Sequence, residues 1–328
     1  MAARIFGAAI LALLMLADAG AQTPSSPGAG QFPNRAVRIV VPFPPGGPTD
    51  VMARVYGQKL SDIWGQPVVI ENRPGGDSAI GAQAVARAAP DGYTLLVAMD
   101  NTLVLNPITT RDLAYNVDKD FAYISMLAQN TSLLIVSADG PATAAELIAK
   151  GKANAGKLNY GAGILTTRLA AFMFTKLAGI DAVYIPYKGS AEVVQGLLTR
   201  SIDFSVDGVA ASLSLIQSGK LRALAKLNSR PLSPLPALKP LATEANLPAL
   251  GEISTWAGLV APADTPANVV ERIQHDVATV AADAGVSESL IKVGVVTVSS
   301  TPADFVSYIK SEQRRWTDVF RNSGFTLN

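Results

Sequence analysis

Short apolar runs alternate with longer stretches of helical periodicity from residue 37 onward, and this alternation predicts strands and helices in turn. The first series should form strands at residues 37–41, 68–70 and 93–98, and helices at residues 50–64 and 79–88. Elements in this order are typical of a parallel sheet covered by helices, in which ligands bind at the carboxyl ends of the strands.

A second series of the same kind begins near Leu133. It should form strands at residues 133–137, 158–160, 183–185, 204–206 and 221–226, and helices at residues 142–152, 166–178, 191–198 and 211–218. Residues 229–250 contain five prolines, which favour an extended connection over a packed element. The chain then returns to the first unit with a strand at residues 256–260 and helices at residues 268–282 and 302–320.

The two series predict an α/β protein with two domains, each a mainly parallel sheet flanked by helices, and a ligand cleft between them. We assign residues 33–130 and 230–328 to domain 1 and residues 131–229 to domain 2.

The amino terminus has the pattern of a secretory signal peptide at residues 1–21. Arg4 supplies a positive start, residues 5–16 are almost wholly apolar, and small residues precede a cleavage site before Gln22. This apolar run is too short to span a bilayer comfortably. Residues 22–32, rich in Pro, Ser and Gly, should form a flexible tether. The pattern predicts export to the periplasm.

Charge and composition argue against several classes of function. The formal net charge of +1 gives no strong electrostatic attraction for nucleic acid, and the absence of cysteine excludes disulfide and thiol chemistry. The single histidine, His275, falls in a predicted surface helix, so a Ser-His-Asp triad and a transition-metal site both lack the residues they need. Two glycine-rich turns, at residues 42–50 and 73–81, have neither the Walker phosphate-loop pattern nor the dinucleotide-binding glycine pattern. We expect no catalytic residues, no metal and no cofactor.

Two glycine-rich turns, each between a predicted strand and a predicted helix, are the main candidates for a binding site. In the first, residues 42–50, glycine lets the backbone approach a ligand while unpaired amides and the positive helix end face it, which suits a carboxylate. Such a turn is often only structural, but a similar second turn at residues 73–81 favours binding. The candidate residues of the two turns are Phe43, Pro44, Gly46, Gly47, Thr49, Asp50, Ser78 and Ala79.

Three residues of the first turn have specific expected roles. Thr49 can cap the following helix and donate its hydroxyl to a ligand, and Asp50 suits a first-turn position where its charge complements the helix end. A bulky side chain at Gly47 should block the approach of the ligand and oppose any positive φ.

A third strand-to-helix turn lies in the second domain and would complete an anion site if it faced the first two turns. Its candidate residues are Gly161, Ala162, Gly163, Thr166 and Arg168. The guanidinium of Arg168 could hold a carboxylate through two parallel hydrogen bonds, which would imply a second anionic group on the ligand. The alternative is an exposed arginine on the surface of a helix.

Further candidates lie at the ends of predicted strands. Asp207 could bind a ligand hydroxyl or amine or position a water molecule, although a turn residue is equally consistent with the pattern. Asn101 ranks above Asp100 at the end of the third strand because an amide can both donate and accept. Of Tyr184 and Tyr187, one could line a cleft while the other packs in the core; the sequence leaves both assignments open.

Many ordered blocks from about Phe32 to the carboxyl end resemble the Bug-type extracytoplasmic solute receptors of tripartite tricarboxylate transporters. The matching blocks are residues 42–50, 53–54, 71–76, 85–94, 184–189, 219–225 and 256–262. The resemblance implies a two-domain periplasmic-binding-protein fold, type II-like, that closes around a small carboxylate. It also implies that the first two turns hold the ligand carboxylate largely through backbone groups and ordered water, and that domain 2 sets specificity.

This chain departs from the family pattern at two places. Arg168 stands near a position where a histidine is common, and Asp77 and Ser78 stand where small residues are usual. The fold is unaffected, but the identity of the ligand does not carry over.

The hypothesis from the sequence is a monomeric, non-enzymatic periplasmic receptor for a small organic mono- or dicarboxylate that delivers its ligand to the membrane subunits of such a transporter. A ligand-sensing adaptor for a membrane sensor kinase is the alternative among binding proteins. A periplasmic hydrolase or isomerase is the alternative among enzymes, although no general base is evident.

Overall fold

The computed structural model describes residues 32–323 and 325. The strands are β1 (Val37–Val41), β2 (Val68–Asn72), β3 (Thr94–Met99), β4 (Phe121–Ser137), β5 (Leu158–Ala162), β6 (Ala182–Pro186), β7 (Phe204–Gly208), β8 (Leu221–Lys226), β9 (Ser254–Pro262) and β10 (Val295–Thr297). The helices are α1 (Pro48–Trp64), α2 (Ala79–Ala86), α3 (Asn106–Thr109), α4 (Ala144–Ala153), α5 (Leu165–Ala178), α6 (Ser190–Leu198), α7 (Val209–Gln217), α8 (Leu241–Glu244), α9 (Ala267–Ala282), α10 (Ala284–Ile291) and α11 (Pro302–Ser323).

The strands form two groups that share the long strand β4. In the first group the order is β2-β1-β3-β9-β4, with β10 also on β4; in the second it is β4-β7-β5-β6, with β8 also on β4. Strand β1 runs parallel to β2 and β3, and β5 runs parallel to β6 and β7, whereas all pairs with β4 are antiparallel. The fold is therefore a mixed α/β fold with parallel strands at the outer part of each group.

Strand β4 passes from one group to the other within a single run of residues. Its first part pairs with β9 from Phe121 to Thr131, and its last part pairs with β7 from Ser132 to Val136. Most of the strand is buried, so its apolar side chains contribute to cores on both sides.

In the described part of the chain, three clusters of buried apolar side chains stabilise the fold. One lies between α1, α9 and the first group of strands and includes Tyr56, Leu60 and Ile273. A smaller one lies beneath α6 and α7. The largest contains residues from both groups, among them Phe174 of α5 and Trp316 of α11. Because burying one such side chain stabilises by roughly 1.5–3 kcal/mol, this shared cluster ties the two groups together.

Most predicted elements agree with the structure, but some regions differ, and the short helix α3 is one that was not predicted. Strand β4 begins at Phe121, not at residue 133. Its first half was missed because polar side chains interrupt the run of apolar residues there. The elements α10 and β10 were not predicted. The proline-rich residues 229–250 contain the short helix α8 and the buried Leu232 and Leu250, so the prediction of an unpacked extended connection was wrong.

The predicted signal peptide and nearly all of the predicted tether lie outside the described residues. Phe32, the last tether residue, is described and packs edge-on against Trp64 and Tyr93, with ring centroids 5.9 and 5.1 Å away. Within residues 32–323 and 325, no helix has the length and apolarity needed to cross a membrane.

Candidate functional site

A cavity of about 720 Å³ lies between the two groups of strands. The first group and its helices contribute residues 43–49, Val51, Met99, Thr255 and 293–295. The second contributes residues 163–164, Thr167, 188–191, 194–195 and 207–211. Asn130 lines the cavity from the middle of β4, where its neighbours on the adjacent strands are Thr255 and Val295.

The amino-terminal ends of four helices meet at this cavity. The lining residues at these ends are 46–49 for α1, 163–164 and 167 for α5, 189–191 for α6 and 208–211 for α7. The first N–H groups of a helix have no acceptor within the helix, and the helix dipole places partial positive charge there. Four such ends around one cavity suit it to an anion.

Asp50 fixes the shape of the first turn from beneath the cavity. Its Oδ2 accepts hydrogen bonds from the Gly46 amide and from Arg54 Nε, each at 2.9 Å, and its Oδ1 accepts one from Asn72 Nδ2 at 2.9 Å. Asn72 also donates to the carbonyl of Phe43. Burial alone would raise the pKa of Asp50, but the hydrogen bonds from Arg54, Gly46 and Asn72 outweigh it and lower that pKa. Asp50 therefore acts as an ionised anchor of the turn and does not line the cavity.

The two glycines of the first turn have different conformations. Gly46 is left-handed, with φ +85°, whereas Gly47 is extended, with φ −77° and ψ 168°. The idea that a positive φ restricts Gly47 was therefore wrong; that restriction belongs to Gly46. A β-carbon at Gly47 would meet only the Pro44 carbonyl oxygen, at 3.9 Å.

Thr49 lies at the cavity wall with its hydroxyl directed at a weak acceptor. Its Oγ1 donates to the sulfur of Met99 at 3.1 Å. Because a thioether sulfur is a poor acceptor, a carboxylate oxygen in the cavity could take this hydrogen bond.

The second turn does not contribute to the cavity lining. Ser78 is buried and its Oγ lies 2.8 Å from Oγ1 of Thr102. The Ala79 amide donates to the Gly76 carbonyl, and Asn101 Nδ2 donates to the Asp77 carbonyl at 3.2 Å. The groups that the sequence predicted to bind a ligand here form hydrogen bonds with other groups of the protein instead.

Of the five candidates in the third turn, only Gly163 lines the cavity. Gly161 lies under the ring of Tyr187, where a β-carbon would come within 2.7 Å of that ring, and Ala162 is buried. Thr166 donates to Asp100 Oδ2 at 2.5 Å. These residues serve packing and the contact between the two groups of strands.

Arg168 lies away from the cavity lining, stacked on aromatic rings. Its guanidinium carbon is 4.3 Å from the ring centroid of Tyr184 and 4.9 Å from that of Phe325. This arrangement differs both from the predicted carboxylate clamp and from an exposed surface arginine. Tyr184 and Tyr187 both pack against apolar clusters, and neither lines the cavity.

Asp207 is the next-to-last residue of β7; it lies at the cavity wall and is only 2% exposed. Its Oδ1 accepts hydrogen bonds from Ser190 Oγ at 2.8 Å and from the Gly208 amide at 2.9 Å. Burial raises the pKa of Asp207 to about 6, although these two hydrogen bonds oppose the shift. Its Oδ2 is buried and has no hydrogen-bond partner in the described part of the chain.

Sequence reasoning missed several lining residues. Asn130 sits inside a strand whose polar residues gave no signal, and residues 293–295 belong to elements that were not predicted. Ser190 is the first residue of α6 and Gly208 is the N-cap of α7, and both lie shortly after or at the end of a predicted strand, which is a signal that could have identified them. His275 is exposed on α9. Among the described residues, no cluster of His, Cys, Asp and Glu could hold a metal ion.

Comparison with known proteins identifies the family. The sequence model of the tripartite tricarboxylate transporter family receptor, TctC, matches residues 52–325. Protein BugT of Bordetella pertussis is 34% identical over 324 residues, which cover 96% of each chain. The chain belongs to this family of receptors.

Two solved structures have the same fold. That of Rpa4515 from R. palustris, determined with adipate, has a TM-score of 0.83 and 30% identity, covering 89% of this chain and 98% of that one. That of MatC from Rhodopseudomonas palustris, with bound malate, has a TM-score of 0.78 and 28% identity, covering 88% and 99%.

Proposed function

We propose that this chain is an extracytoplasmic receptor that captures a small organic carboxylate and delivers it to the membrane subunits of a tripartite tricarboxylate transporter. The convergence of four helix amino termini on one cavity carries this proposal. Membership of the receptor family supports it, as do the two structural relatives that hold adipate and malate.

The carboxylate would be held by neutral donors at the helix ends. Candidates are the amides of the first turn of α1, the Thr49 hydroxyl and the amides at the start of α6 and α7. Apolar side chains such as Phe43, Met99, Val194 and Val295 form the remaining walls and would contact the carbon skeleton. Oriented amides bind an anion without a buried counter-charge, which favours release to a transporter.

The domains of this receptor would be residues 33–130 with 230–328 and residues 131–229. Strand β4 and the segment after β8 connect them, and ligand contacts made only in the closed form would shift the equilibrium towards closure. The receptor would act as a monomer in the periplasm after removal of residues 1–21. It would not be an enzyme: the Ser190 hydroxyl donates to Asp207 at the cavity wall, but the single histidine, His275, is exposed on α9 and is not among the residues that line the cavity.

A panel of mono- and dicarboxylates tests the proposal by thermal shift and calorimetry. A ligand that binds only the folded state raises the melting temperature by mass action, so at least one acid should do so in a concentration-dependent way. Gly47→Val adds bulk at the cavity wall without backbone strain, and it should weaken the binding of that acid by about tenfold or more. Its ligand-free melting temperature should stay close to that of the wild type.

Thr49→Ala should weaken binding modestly, since it removes one hydroxyl donor. Thr279→Ala is the matched control, because Thr279 is an exposed threonine of α9 that bonds only to the His275 carbonyl. Failure of every acid to bind, or unchanged affinity in a folded Gly47→Val protein, would contradict the proposed site.

A further inference from the structure

An acidic side chain in a cavity built for an anion requires a physical explanation. Asp207 places a buried carboxylate in the wall of the same cavity that the four helix ends face. One of its oxygens is fully used by Ser190 and Gly208. The other, Oδ2, is shielded from water and has no donor among the described residues. A buried charged acceptor without a donor is costly, so a ligand that supplies the donor would gain a strong hydrogen bond.

A second orphaned acceptor lies in the same cavity wall. Asn130 lines the cavity from β4, and its Oδ1 is also buried without a hydrogen-bond partner in the described chain. An asparagine can turn its amide to present either a donor or an acceptor, whereas an ionised aspartate can only accept. Asp207 therefore requires a hydrogen-bond donor on the ligand, whereas Asn130 can pair with either a donor or an acceptor.

The charges around the cavity limit what can approach Asp207. Among the described residues that line the cavity, the only other ionisable side chain is Lys188, which is exposed at the rim. A second ligand carboxylate placed against Asp207 would bring two negative charges together with little compensation. A hydroxyl or ammonium group of the ligand placed against Asp207 would instead donate a favourable hydrogen bond to it.

We infer that the ligand is a carboxylate that also carries a hydrogen-bond donor on its carbon skeleton, a hydroxyl or an ammonium group, and that Asp207 accepts from this donor. This inference rests on the proposed function, because it presumes that the helix ends hold the carboxylate. It makes Asp207 the residue that discriminates substituted acids from their unsubstituted counterparts.

Matched sets of acids test the inference on the wild-type protein. The sets are succinate with malate and aspartate, glutarate with 2-hydroxyglutarate and glutamate, and adipate with 2-hydroxyadipate and 2-aminoadipate. In the set that fits the cavity, calorimetry should show the hydroxy or the amino acid binding about ten- to a hundredfold more tightly than the unsubstituted acid. Preference for the hydroxy member assigns a hydroxyl donor, and preference for the amino member assigns an ammonium donor.

Asp207→Asn should reverse this preference. Its amide would keep an oxygen towards Ser190 and Gly208 and turn an NH₂ donor towards the cavity, which favours the unsubstituted acid. Asp181→Asn is the matched control, because Asp181 is an exposed aspartate immediately before β6 and outside the cavity lining, and this variant should leave the ratio unchanged. If Asp207→Asn does not fold, the wild-type ratios decide alone.

The outcomes separate the two proposals. Binding of none of the acids overturns the proposed function and this inference together. Binding in which the unsubstituted acid is as tight as its partners, or a preference that survives in folded Asp207→Asn, overturns this inference and leaves the carboxylate receptor intact.

Discussion

Asp100 is a carboxyl group that the fold removes from water at the boundary between the two groups of strands. It is 1% exposed, and its Oδ2 accepts the hydrogen bond from Thr166. Burial is the largest reason why the pKa of Asp100 rises to about 7; the nearby Glu312 raises it further, while the bonds from Thr166 and the Asn101 amide oppose the shift. The sequence ranked Asn101 above Asp100 because an amide can both donate and accept, but both side chains are buried and neither lines the cavity.

The raised pKa of Asp100 should make the protein less stable as pH rises. Below the unfolded-state pKa of about 3.9, both states hold the proton and Asp100 contributes nothing. As the pH rises from that value to the folded pKa of about 7, Asp100 ionises in the unfolded state but not in the folded state, so the free energy of unfolding falls. Above the folded pKa, both states are ionised and the free energy of unfolding falls no further. Asp100→Asn should therefore be more stable than the wild type by about 2–4 kcal/mol at pH 8 and nearly equal to it at pH 4, as measured by urea unfolding.

The exposed Asp181 offers the comparison for this effect. Asp181→Asn removes the same charge from the surface and should show no such growth of the stability difference with pH. If the free energies of unfolding of the wild type and Asp100→Asn differ by the same amount at both pH values, burial does not raise the pKa of Asp100.

At the scale of elements, the sequence predicted best where apolar runs are short and bounded by turns. Strands β1 and β8 have the predicted bounds, because almost every residue in them that packs inward is apolar. Strand β4 was only half predicted, since register shifts near Ser125 and Ala128 break the alternation of its side chains and polar residues fill its middle. Only tertiary pairing identifies that half as a strand.

The candidate site was predictable to the same degree. The sequence located the turns, and Phe43, Pro44, Gly46, Gly47, Thr49, Gly163 and Asp207 do line the cavity. It could not give the direction of each side chain, so Ser78, Thr166 and Arg168 were placed at a ligand although they contact protein groups. Direction depends on the packing of neighbouring elements, which local periodicity does not encode.

The closeness of α5 and α6 depends on Gly163. A β-carbon there would lie 2.7 Å from the amide nitrogen of Ser190 and 2.9 Å from the carbonyl carbon of Gly189, both backbone atoms that cannot rotate away. Gly163→Ala should force the two helix ends apart, lower stability by about 1–3 kcal/mol and weaken carboxylate binding. Thermal unfolding and calorimetry measure both effects.

Gly189→Ala is the adjacent control for this prediction. Gly189 also lines the cavity, but its φ of 172° is extended and a β-carbon there would meet no atom within 4 Å. Its stability should remain close to that of the wild type. Equal stability of the Gly163 and Gly189 variants would show that the helix ends are free to separate without cost.

For the whole molecule, the contacts between the two groups of strands show how closely these groups approach each other. Thr166 of α5 reaches Asp100 after β3, and Gly294 lies against Val209 and Ala210 at the start of α7. Gly294 has φ +76°, and a β-carbon there would lie 2.7 Å from Val209 Cβ and 2.9 Å from the Ala210 amide nitrogen. Under the proposed division, these contacts join domain 1 to domain 2.

Gly294→Ala should therefore hinder closure of the cleft. We expect about tenfold weaker carboxylate binding and, in small-angle X-ray scattering with saturating ligand, a larger radius of gyration than that of the wild type. Gly219→Ala separates this effect from backbone strain, because Gly219 has φ +71° and open space around its missing β-carbon. Both variants should lose about 1–2 kcal/mol of stability from the left-handed backbone, but Gly219→Ala should keep its affinity and its compaction. If the two variants bind and compact alike, the Gly294 contact does not limit closure.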